Sequence, residues 1–229
     1  MQLRYKTAPK KRKWLTAPHV LCTLSLLAGG AVSQASDAAE VEVLGTGTFM
    51  PFSAERLASL PATLPFSAGD LASGNLSFAI RYEDRSADSD PDPYVSRYIG
   101  AIRAVRLTVG ATTVELPVQQ TEIIVSDGGL GFPERESIRL QATAKVAHGV
   151  MQFSWNQVRQ TPTRLDLRGA TGAISSDAMP APALVANFPT DRPFDRFFLV
   201  RVDAPDQAKP LLYLSSSTLS VSARSLAAP

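Results

Sequence analysis

Twelve consecutive residues, Tyr82-Glu83-Asp84-Arg85-Ser86-Ala87-Asp88-Ser89-Asp90-Pro91-Asp92-Pro93, hold four aspartates and a glutamate. Calcium takes roughly 6 to 8 hard oxygen ligands at about 2.3–2.6 Å, so carboxylates crowded into one loop point to that ion, with Asp84, Asp88, Asp90 and Asp92 as its ligands. Asp88, Asp90 and Asp92 alternate like the first three ligands of an EF-hand loop. Pro93 then stands where that loop needs glycine, and Ile99 where it needs a bidentate glutamate, so an EF-hand is excluded. What stays open is a calcium site of another kind in a strand connection, or a solvated loop. In the second case Asp and Pro supply turns and Arg81, Arg85 and Arg97 partner the acids.

Aromatic residues suggest a second chemistry, because sugars stack on flat rings with polar rims. In Gln152–Gln157 (QFSWNQ), Trp155 alternates with Phe153, and Gln152, Ser154, Asn156 and Gln157 flank them. Trp155 is the candidate carbohydrate platform. The competing assignment places both rings in the core. A glycosidase needs two facing carboxylates, and Glu115, Glu122, Glu134 and Glu136 lie on or beside expected strands. His148 precedes Gly149 in an expected turn with no nucleophile elbow near any serine, which argues against a Ser-His-Asp triad. There is no GxxxxGK[ST] phosphate loop.

The first 35 residues read as an export leader. Lys6, Lys10, Lys11, Arg12 and Lys13 form a basic segment, His19 to Val32 is apolar without an acid or base, and Ser33-Gln34-Ala35 suits signal peptidase. The apolar stretch is short of the roughly 20 residues a spanning helix needs, so no stable membrane anchor is expected after cleavage. Residues 36–229 then form the mature chain. The only cysteine, Cys22, and one of the two histidines, His19, leave with the leader. A two-histidine zinc site and an intrachain disulfide are excluded on that basis. Six of the 23 Lys and Arg and none of the 21 acids lie in the leader, so the net charge moves from +2 to −4. A mildly acidic chain has no overall electrostatic attraction to nucleic acid.

The candidate residues sit in a chain that alternates short β-branched runs with turn clusters. Asn75–Tyr82 places Leu76, Phe78, Ile80 and Tyr82 on one face, and Ile102–Val109 turns through Gly110-Ala111 into Thr112–Val118 as a hairpin. Val41–Phe49 forms the first strand. Further strands are expected at Thr121–Ser126, Ser137–Val146, Val150–Asn156, Arg164–Leu167, Arg196–Val202, Leu211–Leu214 and Thr218–Ala223, with turns at Asp127-Gly128-Gly129 and His148-Gly149. About ten strands at such spacing predict a single all-β domain over 36–229, an antiparallel, jelly-roll-like β-sandwich, with a β-barrel as the alternative. Ala54–Leu60 is the one expected helical turn. Ala178–Pro193, with four prolines, reads as a long surface connection.

Asp88-Ser89-Asp90-Pro91-Asp92-Pro93 followed by Arg97-Tyr98, and a strand ending Leu107-Thr108-Val109-Gly110, form one half of a recurrent pattern. Leu165-Asp166-Leu167-Arg168-Gly169-Ala170-Thr171-Gly172, Ser175-Ser176-Asp177-Ala178-Met179-Pro180 and Phe197-Phe198-Leu199 form the other. Together they resemble uncharacterised exported bacterial proteins that often carry a PEP-CTERM sorting tail. The resemblance implies an exported β-sandwich and brings no activity, ligand or catalytic residue with it. Those tails join a Pro-Glu-Pro motif to an apolar span and terminal basic residues. This chain ends Ser225-Leu226-Ala227-Ala228-Pro229, which leads us to expect release into the periplasm or medium.

The expected role is that of an exported non-enzymatic protein, binding or structural at the cell envelope or in extracellular material, with an envelope glycan or an exported protein as partner. A calcium-stabilised adhesive or lectin-like module and an envelope glycan hydrolase using paired carboxylates are the alternatives. If the leader is read correctly, the mature protein recovered from an expressing bacterium begins at Ser36. Intact mass and N-terminal sequencing check this, and a retained leader overturns it.

Overall fold

A computed structural model of the chain describes residues 39–62, 64–92, 94–127, 135–147, 149–160, 174, 178–190, 195–205 and 208–226. The leader, Pro93, Gly128, Gly129, Glu134, His148, the expected strand at 164–167 and the motif at 165–172 lie outside the described residues. The strands are β1 (Glu40–Thr48), β2 (Asn75–Glu83), β3 (Val95–Ile99), β4 (Ile102–Val109), β5 (Thr112–Leu116), β6 (Val118–Asp127), β7 (Arg135–Val146), β8 (Gly149–Gln160), β9 (Arg196–Asp203) and β10 (Leu212–Leu226). Three short helices join them, α1 (Ala54–Ala58), α2 (Ala68–Ser73) and α3 (Pro182–Asn187).

All neighbouring strands are antiparallel, in the order β3-β6-β7-β8-β9-β10-β1-β2-β4-β5. The expected sandwich is thus wound largely as a meander. Its edge strands, β3 and β5, are not paired with each other, so the sheet does not close into a barrel. The long β10 belongs to both halves: Leu212–Ser217 pairs with β9, and Thr218–Leu226 pairs with β1. The inner faces meet around Phe78 of β2, whose ring centroid lies 5.5 Å from that of Phe153 and 5.8 Å from that of Trp155 on β8.

Period-two alternation accounts for this core. Leu76, Phe78, Ile80 and Tyr82 of β2 are buried, as are Val105, Leu107 and Val109 of β4, Ile138 and Leu140 of β7, and Phe198, Val200 and Val202 of β9. Each large side chain of this kind contributes about 1.5–3 kcal/mol on burial. Strand β1 departs from the pattern after Val43, presenting Gly45 and Gly47 to the interior. A Cβ on Gly45 collides with the Phe78 ring, and one on Gly47 meets the Phe198 ring at 2.6 Å and the Ser217 carbonyl at 2.9 Å. Glycine here lets two aromatic rings approach the backbone closely where the halves converge.

The Pro-rich stretch from Ala178 is not only a surface connection. Pro182 opens α3, where its missing N–H costs no helical bond. Val185 and Phe188 are buried, α3 packs on β1 and β10, and the Val185 carbonyl accepts from Gln157 Nε2 at 2.9 Å. The Tyr82 hydroxyl donates to the Pro180 carbonyl at 2.6 Å, and burial pushes its pKa up.

Helix α2 carries the other buried polar junction. Its capping box pairs Ser67 with Asp70, and Gly74 ends it at φ 69°. Asp70 is 5% exposed. Its Oδ2 accepts from Ser67 N at 2.8 Å, Ser67 Oγ at 2.7 Å and Thr112 Oγ1 at 2.7 Å, while Oδ1 accepts from Ala111 N at 2.9 Å and Thr112 N at 3.2 Å. One carboxylate therefore ties the helix to the β4–β5 turn. The Ser67 and Thr112 hydroxyls, followed by the backbone donors, hold its pKa well below the usual carboxylate range. A depressed folded-state pKa stabilises above the unfolded value, near 3.9, and that stabilisation is lost as pH falls through the folded value. We expect Asp70→Asn to destabilise the protein by roughly 2 kcal/mol at pH 7, because it replaces an acceptor facing several buried donors. In urea titrations the gap to wild type narrows below about pH 4, where the wild-type carboxylate loses its advantage. A gap independent of pH refutes this role for the charge.

Candidate functional site

The acidic loop leads from β2 to β3, and its alternating aspartates have a structural use. Asp88 Oδ1 accepts from Asp90 N at 2.9 Å, Asp90 Oδ1 from Asp92 N at 3.0 Å, and Asp92 Oδ1 from Tyr94 N at 3.0 Å. Each of these aspartates accepts from the N–H two residues on, the hydrogen bond of an Asx turn. The loop then covers the outward side of edge strand β3. Ser89 N donates to the Arg97 carbonyl at 2.9 Å, and Arg97 N donates to Asp88 Oδ1 at 2.8 Å. The Arg97 side chain fixes the assembly by pairing with Asp90 Oδ2 at 2.7 Å and Glu122 Oε1 at 2.6 Å.

These contacts set the charge states. Burial raises the Asp88 pKa, but the N–H groups of Asp90 and Arg97 outweigh it and the net shift is downward. For Asp90 the Asp92 N–H and then the Arg97 guanidinium lower it. Asp84 instead faces Arg85 at 3.8 Å. Among the described residues, no three of His, Cys, Asp or Glu gather in a way that holds a metal ion. The oxygens of Asp88, Asp90 and Asp92 face backbone donors and Arg97, and Asp84 faces Arg85, which gives the loop a structural use and leaves the calcium assignment to Asp84, Asp88, Asp90 and Asp92 as an expectation from the sequence alone.

Trp155 belongs to the core. It is 0% exposed, and its indole Nε1 donates to Thr218 Oγ1 at 3.1 Å, so it has no free face for a sugar. Among the described residues, the carboxylates that could serve glycoside hydrolysis, Glu115, Glu122 and Glu136, are apart. Glu115 sits opposite Arg106 at the β5 edge. Glu122 lies on the outer face, while Glu136 is fully buried against Arg159 and the Ile174 N–H. Five rungs of the β6–β7 ladder separate Glu122 from Glu136, roughly 16 Å at strand rise, against the 5–9.5 Å that glycosidases need.

The polar partners of Trp155 on β8 form the more open site. Gln152 and Ser154 face outward, while Gln157, which seemed to flank them, turns inward. Register places Gln141, Ser154 and Leu199 in one cross-strand row, Arg139, Asn156 and Phe197 in the next, and Thr143, Gln152 and Arg201 in a third. A groove of about 440 Å³ runs over these rows. A second groove, of about 670 Å³, lies between the β3–β4 turn and the start of β6, where the register shifts between Val118 and Gln120. Both are lined by Gln141 and Thr143, so they form one path from β3 towards β9. Its walls are amides, hydroxyls and arginines beside the half-buried Phe197 and Leu199.

Compared with known proteins, the chain matches no protein family, no curated protein and no solved structure at a significant level. The outer face was partly legible beforehand, since Gln152, Ser154 and Asn156 alternate with Phe153 and Trp155. Arg139, Gln141 and Thr143 carried the same signal against Ile138, Leu140 and Ala142.

If the acidic loop protects β3, Asp88→Ala lowers the thermal midpoint and promotes association through the exposed edge, equally in calcium and in chelator. Differential scanning calorimetry and light scattering read both effects. A calcium-dependent rise in the wild-type midpoint that Asp90→Ala and Asp92→Ala abolish restores the metal assignment.

Proposed function

We propose that this chain is an exported, non-enzymatic binding protein of the cell envelope or extracellular material, which engages its partner through the outer face of β6 to β9. The observation that supports this best is the run of amides, hydroxyls and guanidiniums set among apolar side chains across that face, shared by two grooves through Gln141 and Thr143. Its backbone groups are already paired within the sheet, so recognition falls to side chains: amides and hydroxyls for hydrogen bonds, Phe197 and Leu199 for apolar contact. From β6 to β9 the path crosses about three strand spacings of roughly 4.8 Å, which suits an extended ligand better than a compact one. Export rests on the basic and apolar segments before Ala35, and the resemblance to exported bacterial proteins agrees with it.

A lectin-like role remains the closest alternative, now through this face instead of Trp155 and without calcium. The engagement of Asp88, Asp90, Asp92, Glu122 and Glu136 in structural contacts weighs against giving these acids to a hydrolytic mechanism.

Purified residues 36–229 are expected to sediment with the polysaccharide-containing envelope fraction of the producing bacterium. The Gln152→Ala, Phe197→Ala double variant loses that retention while keeping the wild-type unfolding midpoint within a few degrees. Thr113→Ala, on the far edge strand β5, keeps both. Retention unchanged by the double variant, or no sedimentation of the wild type, rejects the proposed face.

A further inference from the structure

The geometry points to a carboxylate-binding subsite at Arg139, which makes the preferred ligand of this face an acidic, uronate-bearing glycan. This rests on the binding role proposed above and specifies its ligand.

Arg139 lies in the middle of the groove, on β7 between Ile124 of β6 and Asn156 of β8. Its Nε donates to Asn156 Oδ1 at 2.8 Å, and Asn156 Nδ2 donates in turn to Ser154 Oγ at 3.4 Å. Asn156 is only 5% exposed, so a buried amide holds the exposed guanidinium. That bond occupies Nε and leaves the two terminal nitrogens for a ligand, the pair that an end-on bidentate contact with a carboxylate uses.

The charges around it separate this cation from its neighbours. Arg97 is paired with Asp90 and Glu122, and Arg201 with Asp203 at 2.6 Å. Among the described residues, no carboxylate lies within ion-pair distance of Arg139. Glu122, a diagonal neighbour across the β6–β7 ladder, is held by Arg97 and by Gln141 Nε2 at 2.6 Å. Of the two arginines that line the grooves, Arg103 pairs with Glu83, so Arg139 is the one without a protein counter-ion, with amides and hydroxyls beside it.

A glycan fits these surroundings better than a peptide. A peptide strand docks by adding to a sheet edge, whereas β7 and β8 are paired on both sides. Amides and hydroxyls on neighbouring strands suit a polyhydroxylated chain, and Phe197, directly opposite Asn156 on β9, offers a flat apolar surface for the C–H face of a sugar ring. A uronate supplies the hydroxyls, the ring face and the carboxylate in one unit.

The test uses residues 36–229 in affinity electrophoresis and titration calorimetry with polygalacturonate and with the same polymer fully methyl-esterified. The acid form is expected to bind about tenfold more tightly, the usual scale of one charge-assisted hydrogen-bonded pair. Arg139→Gln is expected to bring it down to the level of the ester, with unfolding unchanged, whereas Phe197→Ala weakens both polymers. Equal binding of both polymers, insensitive to Arg139→Gln, overturns the carboxylate subsite but leaves a glycan-binding face. If neither polymer binds, the uronate inference fails. The envelope sedimentation of the same preparation then reports separately on the broader binding role.

Discussion

Strand β10 must satisfy both halves of the molecule within fifteen residues, and the meeting of those halves depends on how it changes partner. Ser217 is still opposite Phe197 of β9, while Thr218 is already opposite Gly47 of β1. At this junction β1 and β10 shift register, the Phe198 ring covers Gly47, and Thr218 accepts the indole proton of Trp155. A buried tryptophan needs a partner for its N–H. Here the partner is the residue at which the strand passes from one half to the other, so the largest side chain of the core also fixes the corner. The neighbouring Phe78 occupies the space that Gly45 leaves open and completes the aromatic contact between the faces.

An open sandwich wound around such a corner leaves two edges, and the chain treats them differently. At β5 the edge strand is short, with exposed Glu115 and Thr113. At β3 the hydrogen-bonding groups of Arg97 are covered by Asp88 and Ser89. An uncovered edge is a template for pairing with another chain, and covering it with a charged loop is one of the ways natural sheets avoid this. Much of the acidity concentrated in this part of the sequence therefore serves edge protection, through turns that need an acceptor every second residue.

The strands of the core were legible because alternation survives wherever one face is buried; β4 runs over Ile102–Val109 as its pattern predicts, and β2 extends only one residue past Tyr82. What stayed hidden has local causes. Val95–Ile99 is short and follows a run of turn residues, so β3 reads as loop until its pairing with β6 is known. Ser215, Ser216 and Ser217 look like a break between two strands, yet they lie inside β10 where it approaches the corner. The prolines near Ala178 conceal α3, because one of them is in the first turn of the helix. For Trp155, alternation specified a face but not which face was inside; Phe78, 77 positions earlier, decides that. For the aspartates, an acid at every second position suits a metal loop and a series of Asx turns equally, and only the positions of Arg97 and the backbone donors distinguish them.

The two outer faces of the sandwich differ in a way that bears on function. Across β10, β1, β2, β4 and β5 the polar residues satisfy one another in directly opposed pairs: Glu42 with Arg81 and Arg224, Arg106 with Glu115, Thr108 with Thr113, and Thr46 with Ser220. The Arg224 hydrogen bond, followed by that of Arg81, lowers the Glu42 pKa despite its burial, so each charge named on this face has an opposite charge beside it in a cross-strand contact, with Glu42 shared by two guanidiniums. Across β6 to β9 the pairing stops short. Glu122 binds Arg97 and Gln141, but Arg139 has an amide for a partner and Phe197 and Leu199 stay half-buried beside it. Desolvating a charge already balanced within the protein is costly, whereas a cation held in place by a neutral amide gains from an incoming anion. The same sheet chemistry thus pairs the charges of one face with one another and leaves Arg139 on the other held by an amide, which is the physical basis of the proposal that recognition uses β6 through β9.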